Sequence, residues 1–326
     1  MKAGEMNMKQ LRAISLFAGV GGTCLGFEQN GVVVTDAYEL DKYAAETYKL
    51  NFPKTNLHVG DLAQVPNTEI PKADILIAGF PCQAFSIAGY RKGFEDERGE
   101  LFFEVIRYLK YSKAQFVFLE NVKNLISHDG GKTIRIIEEA LTEHGFYLKK
   151  DVLNSCEYGN VPQNRERTYI VGFKDKAKAE KFTFPPKIPL TNTLDKVVNF
   201  SGEQSKEYFY TKERYPKYAT MLEENVLKSD TIYQIRRIYV RENKMKVCPT
   251  LTANMGTGGH NVPIIRQYDG QIRKLTPKEC FALQGFPANY KLPVNMAKSH
   301  LYKQAGNSVT VTVIKRIVER MLNAEK

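Results

Sequence analysis

The sequence predicts an α/β fold, a doubly wound and mostly parallel sheet carrying a second, smaller and irregular β-containing domain. Three observations predict it. Over the first 175 residues, short apolar runs alternate with helix-length amphipathic segments, the rhythm of strands joined by crossover helices. That rhythm stops near Phe184-Pro185-Pro186. Helical signals return only at Thr276–Gln284 and Val309–Leu322. The expected organisation is therefore 1–185 as the first domain, 186–274 as the small domain, and 275–326 as a hinge and helix that complete the first.

Arg12–Phe17 reads as a strand, followed by the turn Gly19-Val20-Gly21-Gly22 and a helix closed at Asn30-Gly31. Val32–Tyr38 is a β-branched run, and Asp41 caps a helix reaching about Asn51. Asp74–Ala78 is an apolar strand, and an amphipathic helix covers about Glu100 to Tyr111. Phe116–Glu120 is the next strand, Lys132–His144 a helix stopped by Gly145, and Tyr147–Leu153 and Thr168–Phe173 further strands. Between Phe184 and Arg273 the chain is basic, tyrosine-rich and shows little helical period. The last helix is apolar enough to pack back on the first domain, which makes the small domain an insertion.

With 326 residues, 43% of them apolar and 25% charged, the chain can bury a full core. Its apolar runs fall far short of the ~18–20 residues of a membrane span, and the polar start lacks an export signal. Five cysteines without a C-x-x-C pair argue against a disulfide framework or a metal site and for a reducing cytoplasm. The net charge of +11 is uneven: residues 1–180 hold 23 basic and 24 acidic side chains, 181–274 hold 16 and 9, and 275–326 hold 8 and 3. A polyanion docking on the C-terminal portion is the natural inference.

Three sets of residues stand where such a sheet presents ligands, at strand C-terminal ends, and a fourth lies beside a strand. Phe17 to Gly22 ends one strand and opens a helix, with Glu39 20 residues beyond Gly19. That arrangement suits a nucleoside-containing cofactor, although the glycine spacing is not the dinucleotide one. Gly79-Phe80-Pro81-Cys82-Gln83 sets a thiol after the next strand, Glu120-Asn121-Val122 adds a carboxyl, and Gln163-Asn164-Arg165-Glu166-Arg167 adds two guanidinium groups. A nucleophile, a general acid and a cation cluster thus share one sheet edge.

These motifs occur in one order with Gly60-Asp61, Arg98 to Phe102, Arg273 to Pro277, Leu283 to Pro287 and Gln304 to Val309. The ordered set resembles the C5-cytosine-specific DNA methyltransferases of the bacterial restriction–modification type. The resemblance implies a Rossmann-like sheet that binds S-adenosylmethionine, which leaves as S-adenosylhomocysteine. Phe17, Gly19, Gly21, Gly22, Glu39, Leu40, Asp61, Pro81, Leu101, Asn307 and Val309 would line its site. Leu40 departs from the aromatic residue many relatives carry there. Cys82 would add to cytosine C6, Glu120 would pair with N3 and the exocyclic amine, Arg165 would hold the O2 carbonyl, and Arg167 would support the site. The target base would be flipped from the duplex.

Ser86, Ala88, Arg91 and Lys92 fall on what resembles the family's mobile catalytic loop, 81–99. Thr250-Leu251-Thr252-Ala253 resembles its Thr-Leu-x-Ala element. With Arg236, Arg237, Asn254 and His260, Thr250 and Thr252 are the candidates to meet DNA. The expected partner is double-stranded DNA with a short specific site; a companion endonuclease would share that site, and the enzyme would be a monomer. A zinc deaminase would need a cysteine at Phe85, and a nicotinamide-dependent oxidoreductase would leave Cys82 and Glu120 without a task. A tRNA-directed enzyme of the same family and a non-catalytic DNA-binding regulator are the alternatives.

Overall fold

The computed structural model describes residues 10–81, 100–236, 239–257 and 261–324. Cys82, Ser86, Ala88, Arg91, Lys92, Arg237 and His260 lie outside the described residues.

A seven-stranded sheet forms the larger part. Its strands are β1 (Arg12–Leu16), β2 (Val33–Glu39), β3 (Asn56–Val59), β4 (Ile75–Ala78), β5 (Phe116–Val122), β6 (Tyr147–Asn154) and β8 (Glu166–Phe173), in spatial order β3-β2-β1-β4-β5-β8-β6. β1 pairs in parallel with both β2 and β4, and the chain direction holds out to β3 and β5. β8 alone runs the other way, antiparallel to β5 and to β6, so the sheet is mostly parallel, as expected, with one reversed strand. The cause is local: the other long connections are crossovers, whereas β6 reaches β8 through the short helix Ser155–Tyr158 and the two-residue β7 (Gln163–Asn164), too little chain to recross a face. The sequence pattern also gives no sign of β3, a four-residue edge strand with no fully buried position.

Apolar side chains cover both faces. On one, Ala13, Ile75, Ile77, Phe118 and Val171 pack with Cys24 and Phe27; on the other, Ile14, Leu76, Val117 and Leu119 pack with Phe102, Val105, Tyr108 and Ile137. The alternation within β1 and β4 supplies both sets, as the twofold strand period requires. The helix Val311–Asn323 joins the first set through Val313, Ile314, Ile317, Val318 and Met321. It lies so close to the helix Gly22–Glu28 that a β-carbon on Gly26 would stand 2.6 Å from the Ile314 methyl. The C-terminal helix thus packs on one face of this sheet.

β9 (Tyr233–Arg236), β10 (Tyr239–Glu242), β12 (Ile264–Arg266) and β13 (Ile272–Lys274) form a separate antiparallel sheet in the order β10-β9-β12-β13. Tyr233, Ile235, Ile264 and Ile272 close its core with Leu222 of the helix Pro216–Asn225 and Val226 just after it. That helix interrupts a region expected to have little helical period; Pro216 at its first turn starts it. The helix Lys298–Asn307 was also not anticipated, because polar Gln304 and small Gly306 are among its buried residues and blur the apolar stripe. Among the described residues no helix is long and apolar enough to cross a membrane.

Ile317 is fully buried between the C-terminal helix and the sheet. Ile317→Ala should lower unfolding free energy by about 2–5 kcal/mol, read as a shifted midpoint in urea unfolding.

Candidate active site

A cavity of about 450 Å³ opens at the C-terminal ends of the parallel strands. It is walled by the segments after β1, β2, β3, β4 and β5, the crevice where an open sheet reverses its winding direction. One end holds Phe17, Gly19, Gly22, Glu39, Leu40 and Asp61; the other holds Pro81, Glu120, Arg165 and Arg167. Leu101, Asn307 and Val309 are also among the lining residues.

The turn after β1 is shaped for close approach. Gly19 and Gly21 have φ of 54° and 78°, left-handed values that glycine adopts without strain, and Phe17 holds 53° without that freedom. A β-carbon on Gly21 would stand 2.2 Å from the Phe52 ring, and one on Gly22 2.7 Å from Ser308 Oγ. At Gly19 it would meet open space, so the backbone there faces the cavity bare. Gly21 itself supports the turn from behind: it packs on Phe52 and does not line the cavity.

Glu39 ends β2 and fastens this turn. Its Oε2 accepts the Gly19 N–H at 2.6 Å, and its Oε1 accepts the Asp41 N–H at 2.7 Å. Burial raises its pKa, and the two backbone donors pull the other way. A carboxylate offers about four acceptor positions, so capacity remains for ligand hydroxyls. Asp61 Oδ1 caps the next turn by accepting from Ala63 N at 2.9 Å. Leu40 is 71% exposed on the cavity wall, an apolar flank with nothing stacked on it. Lys303 bridges to Asp41 at 3.0 Å across the cavity mouth, a pairing the motifs gave no sign of.

At the far end Glu120 is buried, its Oε1 3.1 Å from Arg167 Nε. The two form an ion pair without hydrogen-bond alignment, and Oε1 has no hydrogen-bond partner. Burial pushes the Glu120 pKa up, while Arg167 and then Arg165 pull it down. Asn121 donates from Nδ2 to Phe80 O at 2.8 Å, which anchors the segment leading to Pro81.

The two arginines have different surroundings. Arg165 is 2% exposed, and backbone carbonyls take up its fork: Nη1 donates to Leu251 O at 2.7 Å, and Nη2 donates to Gly306 O at 3.3 Å and to Ser308 O. A guanidinium so engaged has few donors left for a base carbonyl. Arg167 is the half-buried guanidinium at the carboxylate. Spacing alone could not separate them, since alternate residues on a strand share a face.

The DNA candidates Arg236, Thr250, Thr252 and Asn254 line a second groove, of about 780 Å³, between the small sheet and the segment after β11 (Cys248–Pro249). Thr250 Oγ1 also donates to Asn164 O at 2.7 Å.

Comparison with known proteins decides the family. The family model described as C-5 cytosine-specific DNA methylase matches residues 11–323. The chain belongs to this family. As a C5-cytosine DNA methyltransferase it is 53% identical over 313 residues to the Type II methyltransferase M.Bsp6I of Bacillus sp. (strain RFL6), covering 95% of this chain and 98% of that one. It is 38% identical over 324 residues to the Type II methyltransferase M.HhaI of Haemophilus parahaemolyticus, covering 96% and 94%. Among solved structures, the Entamoeba histolytica methyltransferase EhMeth aligns with a TM-score of 0.74 at 20% identity over 98% of this chain and 99% of that one. The S. pombe Dnmt2 methyltransferase aligns at 0.73 and 18%, over 96% and 99%, so the methyltransferase shares their fold.

Arg165→Ala strips donors from three carbonyls and should cost at least about 3 kcal/mol in urea unfolding, with a weaker pH dependence than Arg167→Ala because Arg165 pulls less on the Glu120 pKa. Arg167→Ala should cost less, and the loss should shrink as pH falls. Without its partner Glu120 has a more strongly raised folded-state pKa, and a raised carboxyl pKa gives stability that is lost as pH rises through it.

Proposed function

We propose that this methyltransferase moves a methyl group from S-adenosylmethionine to C5 of a cytosine flipped out of a specific duplex sequence, through a thiolate adduct of Cys82. The observation that carries the reading is the single cavity with two chemically distinct ends. Glu39 and a bare glycine turn stand at one, a buried carboxylate paired with a guanidinium at the other.

The residues at the first end fit the cofactor. Glu39 has acceptor capacity for ribose hydroxyls, Asp61 for an adenine amine, Phe17 and Leu40 give apolar flanks, and Gly19 leaves space. When bound, the cofactor supplies an electrophilic methyl on a sulfonium. Asn307 and Val309 would close the site from the C-terminal side, with Pro81 and Leu101 along the wall between the two ends.

Cytosine C5 is too weak a nucleophile on its own. The Cys82 thiolate would form a bond to C6, leaving electron density on C5. Glu120 would hold a proton at N3 and accept from the exocyclic amine, a task its burial favours by raising its pKa. Arg167, and not Arg165, would keep Glu120 in place and face the O2 carbonyl. After transfer C5 loses its proton, and the C6–S bond breaks to return the thiolate. The other four thiols suit this task poorly: Cys24, Cys248 and Cys280 are buried, burial pushes Cys24 up to about 11, and the Cys156 thiol is raised as well.

Substrate DNA would lie across the C-terminal portion, where the positive excess sits. Ser86, Ala88, Arg91 and Lys92 would approach it from the catalytic loop, and Arg236, Arg237, Thr250, Thr252, Asn254 and His260 from the segment 186–274. Kinship with Type II methyltransferases supports a place in a restriction–modification system; on this reading the enzyme works in the cytoplasm as a monomer, beside an endonuclease of the same specificity.

Labelled methyl transfer to random duplex DNA, with base-resolution mapping, tests the reading; transfer to RNA alone, or to an exocyclic amine, would overturn it. On 5-fluorocytosine duplex the enzyme should form a denaturation-resistant adduct that Cys82→Ala abolishes. Glu120→Gln should slow transfer by about 10²- to 10⁴-fold.

A further inference from the structure

The second groove carries an arrangement that the family's motifs do not explain. β9 alternates strictly: Tyr233 and Ile235 point into the small core, so Gln234 and Arg236 point outward. β10 pairs with it antiparallel, which sets Arg241 opposite Gln234 and Tyr239 opposite Arg236 on that outward face. Gln234, Arg236 and Arg241 form one wall of the groove, and Thr250, Thr252 and Asn254 line it with them.

The two arginines on this wall differ. Arg236 Nη2 donates to Gln234 Oε1 at 3.0 Å, so an exposed side chain that would otherwise sample many rotamers has the plane of its fork set beforehand. Arg241 makes no side-chain hydrogen bond among the described residues. A guanidinium anchored at one hydrogen of Nη2 still offers the other, together with those of Nη1, as two parallel donors. On the major-groove edge of DNA only guanine presents two acceptors side by side, O6 and N7. Phosphate also accepts two donors, but it needs no neighbour to orient the fork.

We propose that Arg236, oriented by Gln234, reads a guanine of the recognition sequence through O6 and N7, and that Arg241 contacts the phosphate backbone. The proposal rests on duplex DNA being the substrate, and it makes Gln234 a positioning residue.

The test is base-resolution mapping of methylation by the full-length enzyme, with S-adenosylmethionine, on duplexes randomised around cytosine. The wild type should require guanine at one or more positions. Arg236→Ala should relax one of those positions by about ten- to hundredfold and leave the others intact. Gln234→Ala should relax the same position by a smaller factor, and Gln234→Glu, which keeps an acceptor, should preserve it. Arg241→Ala should lower methylation on all sequences alike and reduce the slope of log affinity against log salt by about one. Matched melting temperatures check that the variants, altered only at an outward-facing strand surface, are folded. An even loss across sequences with a shallower salt slope for Arg236→Ala would make it a phosphate contact and overturn the proposal. An unchanged profile, or relaxation at a position other than guanine, would also overturn it. Failure of the wild type to methylate any duplex would instead remove the substrate reading beneath it.

Discussion

Three stretches of chain, far apart in sequence, end on one buried guanidinium. Arg165 enters from the short link between β7 and β8 and binds the carbonyls of Leu251, Gly306 and Ser308. Leu251 lies between the two threonines that line the second groove, while Gly306 and Ser308 line the cavity. A charged fork is suited to this place because each carbonyl is cut off from water and from a ladder, and one planar group can serve all three. Gln163 extends the junction: its Nε2 donates to Leu283 O at 2.8 Å, and its Oε1 accepts the Leu251 N–H at 3.1 Å. Gln284 continues it by donating to Ala305 O at 2.9 Å. Both amides are fully buried, so a missing partner would leave an uncompensated polar group.

This junction explains why some features were legible in the sequence and others were not. The parallel strands and their crossover helices were legible because burial on two faces writes long apolar runs, and Asp41 announced its helix by capping it through Tyr43 and Ala44. β3 stayed hidden, since an edge strand with half-exposed positions writes no such run. The reversed β8 was hidden too: strand direction is decided by connection length and packing, neither of which alters the period of the residues. At the site, the residue types were legible and their division of labour was not. Arg165 and Arg167 read alike as alternate positions of one strand, and only the approach of Leu251 and Ser308 from other segments tells the clamp from the partner of Glu120.

The cavity brings two electrostatic tasks together. At one end, N–H groups of the turn after β1 and of Asp41 surround Glu39, so the carboxylate is held by backbone and keeps its direction. At the other, Glu120 sits in a drier place against an ion pair that leaves Oε1 without a hydrogen bond. A buried acceptor left in this way costs stability, and such costs concentrate where a ligand is meant to arrive. The same sheet end thus supplies a stiff, satisfied carboxylate and an unsatisfied one. The difference comes from the neighbours of each strand end: backbone N–H groups of Gly19 and Asp41 for Glu39, and the Arg167 guanidinium, out of hydrogen-bond alignment, for Glu120.

Close packing links the cavity to the groove. A β-carbon on Gly306 would stand 2.1 Å from the Thr252 carbonyl carbon, and one on Gly256 2.6 Å from Ser299 O. The helix Lys298–Asn307 therefore lies directly on the backbone of the segment after β11, with no side chain between to absorb a shift. The same helix reaches the cavity mouth through Lys303 and its bridge to Asp41, and the cavity wall through Asn307. Backbone packed on backbone transmits displacement where flexible side chains would dissipate it. Thr252 on the groove side and Asn307 on the cavity side consequently occupy opposite flanks of one rigid contact. Groups separated by that contact keep a fixed spacing, as a protein must if it reads a sequence in one groove and modifies a base in the other.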